Sequence, residues 1–164
     1  MSYTDKDVLH NSNLKEILNG FIREINSNNG MKILGDPNLT YGSSAPAKIK
    51  NSEFSVIRNG VISTIDSAET ALTATDHDIA DGYGAIFLVY LDEDNDIVIE
   101  KGDAILAGTN AVCPATPEGG LKVGEVKVVM SGGAFTAGTT SLNDGVGLTG
   151  TFTDKTDSPP DVDD

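Results

Sequence analysis

Apolar residues fall into two kinds of pattern along this chain, and the boundary between them lies near residue 53. Over residues 14–25 the spacing is helical: Leu14, Leu18, Phe21 and Ile25 follow at alternating steps of four and three, and Ile17 and Ile22 widen the stripe. Polar-to-carboxylate spacings at Thr4/Asp7 and Asn13/Glu16 offer N-terminal caps. Asn26-Ser-Asn-Asn-Gly30 supplies residues that accept a left-handed cap and so predicts the C-terminal end. A helix of two heptads is too short to be stable alone, so its stripe has to be buried against something. Three covers are open to it: its own domain, copies of itself, or a partner surface.

Beyond residue 53 the pattern changes to short runs with turns between them. Residues 53–58 and 61–65 flank Asn59-Gly60, a pair suited to the positive φ angles of a type I′ turn, and predict a hairpin. Residues 84–91, Gly-Ala-Ile-Phe-Leu-Val-Tyr-Leu, form the longest nearly unbroken apolar run and read as a buried strand. The acidic turn at 92–96 and Ile97-Val-Ile99 complete a second hairpin around which the remaining strands should assemble. Residues 123–130 alternate enough to have one wet and one buried face, and residues 148–154 alternate weakly. A short strand is expected around residues 71–74 and another at Ala134-Phe135.

The expectation is a mainly β protein: a small antiparallel β-sandwich or barrel-like domain over residues 53–154, preceded by an amphipathic helix and an extended arm over 1–52. Residues 31–52 carry two prolines with Gly and Ser and no sustained period, which reads as linker. Residues 155–164 are acidic and proline-bearing, with nothing to pack, and are expected to be disordered.

Composition sharpens this picture. The chain has 164 residues, 18 of them Gly, 5% aromatics and no Trp, so the core has to be thin and aliphatic. Cys113 is the lone cysteine, which removes an intramolecular disulfide and any cysteine-based zinc cluster. No run reaches the ~18 apolar residues of a membrane span, and no signal pattern opens the chain. The formal net charge of −14 is unevenly spread. Residues 1–58 hold seven Lys or Arg against six Asp or Glu, and residues 59–164 hold four against nineteen. An acidic body repels phosphates, so nucleic acid is not expected as a partner.

Two clusters invite chemistry. Asp92, Asp94 and Asp96 resemble the first half of a calcium loop, but the twelfth position is Asp103 and Gly102 comes too late for the sharp turn. A solvated turn is the expectation there, with no metal or cofactor; if a cation binds, those three carboxylates are its candidate ligands. Asp76-His77-Asp78, with Asp81, sets an imidazole among carboxylates. No neighbouring nucleophile motif, phosphate loop or Gly-x-Ser-x-Gly elbow accompanies it, so no catalytic residues are assigned.

Four pieces occur in a telling order: Asn59-Gly-Val-Ile62, then Ile86-Phe-Leu-Val-Tyr-Leu-Asp92 with Ile97-Val-Ile99, then Gly124-Glu-Val-Lys-Val128, then Gly132-Gly-Ala-Phe-Thr-Ala-Gly-Thr-Thr140. Together they resemble a β-module of phage virion proteins such as capsid decoration proteins and head fibres. The resemblance implies a non-enzymatic homotrimer on the capsid surface of the virion, made in the host cytoplasm, with the major capsid protein as partner. The stripe Leu14, Ile17, Leu18, Phe21, Ile22 and Ile25 would then serve oligomerisation or docking. A tail-fibre or appendage module binding a host receptor or glycan is the alternative, and a calcium-dependent hydrolase built around His77 or Asp94 is a third reading.

Overall fold

The computed structural model describes residues 30–43, 47–142 and 148–154. Among them are eleven strands: β1 (Met31–Leu34), β2 (Thr40–Tyr41), β3 (Lys48–Asn51), β4 (Phe54–Arg58), β5 (Val61–Ile65), β6 (Ala68–Ala71), β7 (Tyr83–Leu91), β8 (Ile97–Lys101), β9 (Ile105–Leu106), β10 (Leu121–Met130) and β11 (Leu148–Asp154). One turn of 3-10 helix, Thr75–His77, precedes β7. The strands form three antiparallel sheets ordered β1-β4-β5, β2-β3-β6 and β11-β10-β7-β8, with β9 beside β7. No sheet among the described residues closes on itself, so the barrel-like option is corrected to open sheets around a shared core.

That core is continuous across all three sheets. Ile33, Phe54 and Val56 enter it from the first, Ile49 from the second, and Phe87, Val89, Val126 and Val128 from the third. β7 is buried on both faces along most of its length, which is why its sequence is a run rather than an alternation. β10 alternates because one of its faces is wet. Phe135 reaches the same core from a loop through a single bridge to Ile79 instead of the expected short strand.

The largest difference from expectation concerns residues 31–52. They form β1, β2 and β3, and Met31, Ile33, Leu39, Ala47 and Ile49 are buried. The β-body therefore begins at Met31 and not near residue 53. Strands of two to four residues show no period of their own; their stability comes from pairing, as in the unbroken register of β1 on β4 from Met31↔Arg58 to Leu34↔Ser55. The short strand foreseen at residues 71–74 lies at Ala68–Ala71 and pairs with β3.

The two hairpins stand where the turn chemistry puts them. Asn59 and Gly60 have φ of 52° and 79°, the positive values a type I′ turn needs. β10 pairs with β7 on one side and β11 on the other, so residues 148–154 form an outer strand of the central sheet. The helix expected over residues 14–25 and the tail from 155 lie outside the described residues.

Candidate functional site

The acidic turn after β7 is built by its own first residue. Asp92 Oδ1 accepts the backbone N–H of Asp94 at 3.0 Å and of Asp96 at 2.9 Å, and the Asp92 N–H donates to the Asp96 carbonyl at 3.0 Å. Asn95 takes a φ of 68°. The carboxylate nominated as a cation ligand is thus engaged in shaping the turn, while Asp94 and Asp96 point into solvent. Among the described residues no group of three or more Asp, Glu, His or Cys side chains is placed to hold a metal ion.

Arg58, the last residue of β4, locks this turn to the rest of the body. Its Nη2 donates to the Asp92 carbonyl, its Nε to Asn95 Oδ1 at 3.1 Å and its Nη1 to the Gly119 carbonyl at 2.8 Å. A guanidinium fork can serve three acceptors at once in fixed directions. Gly119 itself is held close: a Cβ there would lie 2.6 Å from Glu93 Oε1, and its φ is +77°.

The His77 cluster of the sequence is taken apart by the fold. His77 is 7% exposed and stands edge-on to Phe87 with centroids 5.7 Å apart, so it belongs to the core. Two of the nearby carboxylates work elsewhere: Asp78 accepts the Ala137 N–H at 2.6 Å, and Asp81 accepts those of Gly132 and Gly133 at 2.8 and 3.1 Å. Both staple the segment before β7 to the Gly-rich loop after β10. Asp76 is exposed, 4.0 Å from His77 Nε2.

One cluster was invisible in the sequence. Lys122 Nζ donates to Glu125 Oε2 at 2.8 Å and lies 3.8 Å from Cys113 Sγ. Residues three apart in a regular strand face opposite ways, but a bulge between Lys122 and Gly124 inserts the extra residue that returns Glu125 to the same side. Burial pushes the Cys113 thiol up from its ordinary pKa, more than the neighbouring ammonium pulls it down. Burial opposes the Lys122 charge, yet the hydrogen bond to Glu125 and its neighbours' charges hold its pKa above the usual lysine value. The thiol is therefore kept neutral beside an ion pair.

The remaining feature is an end of the molecule rather than a pocket. The Gly30 carbonyl accepts the Asn59 N–H at 3.1 Å, so the N-terminal segment joins the body at the tip of the β4–β5 hairpin. Val61 and Ile62 at that tip are each 64% exposed. An open depression of about 630 Å³ beside it is bounded by Met31, Arg58, Glu93 and Glu118. The six apolar residues Leu14, Ile17, Leu18, Phe21, Ile22 and Ile25 lie outside the described residues, on the segment that enters here. Comparison with known proteins yields no matching family model, no matching curated protein and no matching solved structure.

Proposed function

We propose that this chain is a non-enzymatic structural protein of a phage virion, a capsid decoration or head-fibre subunit. It works as a homotrimer attached to the capsid exterior through its N-terminal region. The observation that carries this reading is the shared location of attachment segment and apolar tip: Gly30 enters the body against Asn59, beside exposed Val61 and Ile62. Exposed β-branched pairs next to a chain junction suit an assembly contact.

The acidic remainder supports the same reading. A body with four cations against nineteen carboxylates from residue 59 onward discourages contact between copies on neighbouring sites. Attachment then gains from avidity, because three modest arms on one trimer hold a repeating shell far more tightly than one arm does.

Replacing Leu18 and Phe21 together with Ser removes two large apolar groups from the stripe. The expected result is loss of the trimer in sedimentation equilibrium and loss of the protein from purified particles. Unchanged mass and unchanged particle occupancy would overturn the assignment of the stripe as anchor.

A further inference from the structure

We propose that the free edge of β5 takes up an extended, lysine- or arginine-bearing segment of a partner protein as an added strand. The backbone supplies the first observation. In the sheet β1-β4-β5, the Asn59 N–H points toward β1, where it meets the Gly30 carbonyl. Bonding direction alternates along a strand, so Phe54, Val56 and Arg58 bond toward β5, through their pairs with Ile65, Ser63 and Val61. Ile62 and Thr64 therefore turn their N–H and C=O groups away from β4. Neither has a backbone partner on that side among the described residues.

The second observation is that this edge is unguarded. Outer strands are normally protected by charge, proline, bulges or shortness. Lys32 in β1, Glu69 in β6, Glu100 and Lys101 in β8, and Asp154 in β11 follow that rule, and β2 has two residues. β5 reads Val-Ile-Ser-Thr-Ile, with no charge. Left this way, it is a template for another strand.

The occupant follows from charge. A groove of about 560 Å³ opens beside β5, lined by Ser63, Thr64, Asp66 and Thr70 and, across from them, by Asp94 and Asp96. The three carboxylates are exposed, and no cation among the described residues lies within ion-pair distance of them. Alternate side chains of an added strand face one way, so a segment with Lys or Arg at alternate positions sets them against these acids. A second copy of the chain is disfavoured by the acidity of its own body. The inference rests on the edge and groove alone; under the virion reading above, the segment belongs to the shell.

The test uses the full chain and a labelled eight-residue peptide alternating lysine with threonine and valine, followed by fluorescence anisotropy and amide hydrogen exchange. Expected are binding that weakens as NaCl is raised, and slowed exchange at Ile62 and Thr64. Ile62→Pro, which removes one outward donor at an edge position, should weaken binding about fivefold. Asp94→Asn with Asp96→Asn should weaken it about twofold to fivefold per carboxylate. The same peptide N-methylated at alternate residues leaves the protein untouched and should not bind. Absent binding by the lysine peptide, equal binding by its glutamate counterpart, or equal binding by the N-methylated form would each overturn the proposal. So would protection of Ile62 and Thr64 that grows with protein concentration alone, since a second copy would then be the occupant. None of these outcomes bears on the mass of the Leu18→Ser/Phe21→Ser protein, which tests the trimer separately.

Discussion

Glu69 is exposed and still has a depressed pKa, because its carboxylate is gripped from one side. The Ser43 hydroxyl donates to Oε2 at 2.7 Å and the Ser43 N–H to Oε1 at 3.0 Å, with Lys48 Nζ 3.4 Å away. Hydrogen bonds to the charged form lower a carboxyl pKa, and those from Ser43 are the main cause here, ahead of Lys48. With the folded value below the unfolded one, the stabilising contribution is present above the unfolded carboxyl pKa and is lost as pH falls through the folded one. Ser43→Ala should return the Glu69 titration, followed by NMR, toward the ordinary glutamate value, whereas Lys48→Met should move it less. An unmoved titration in Ser43→Ala would show that the hydroxyl is not what depresses it.

Between elements, Arg58 is the residue on which the sheets meet. It ends β4 in the first sheet and reaches the turn joining β7 to β8 and the loop before β10, both in the central sheet. Two of its acceptors are backbone carbonyls, left without this donor if the guanidinium is removed. Arg58→Ala is expected to destabilise by about 2–3 kcal/mol, since bonds from charged donors are worth more than neutral ones. Arg58→Lys should recover little, because an ammonium on a flexible stem cannot serve three acceptors spread in a plane. Urea denaturation of the two variants measures both; a lysine variant matching the parent would refute the fork. Nothing in the sequence announced this clamp, because its partners lie 34 to 61 residues away. What the sequence did disclose were features written locally: the Asn59-Gly60 turn, the double-buried β7 run and the alternation of β10. β1, β2 and β3 escaped because pairing, not pattern, makes them strands. The Lys122–Glu125 pair escaped because a bulge changed which residues share a face. His77 was legible as a residue among carboxylates, but only the folded chain shows two of them, Asp78 and Asp81, serving backbone amides instead.

At the scale of the whole molecule, charge imbalance is the property that no single contact offsets. Eleven cations face twenty-five carboxylates, and one-to-one pairs such as Lys48 with Glu69 and Lys122 with Glu125 leave the excess of fourteen untouched. Self-repulsion of this kind acts against the compact state and is screened by salt, with a Debye length of about 10 Å at 0.1 M and about 3 Å at 1 M. Salt also weakens these two partly exposed ion pairs of the described residues, each worth at most about 1 kcal/mol. The repulsive sum over fourteen unbalanced charges should exceed that loss. The melting temperature at pH 7 is therefore expected to rise between about 0.02 and 0.5 M NaCl by a few degrees. Sulfate and chloride compared at equal ionic strength separate screening from the general strengthening of apolar burial, because only the latter depends on the anion. A melting temperature that falls with NaCl would mean that attraction within ion pairs outweighs the repulsion among the excess carboxylates.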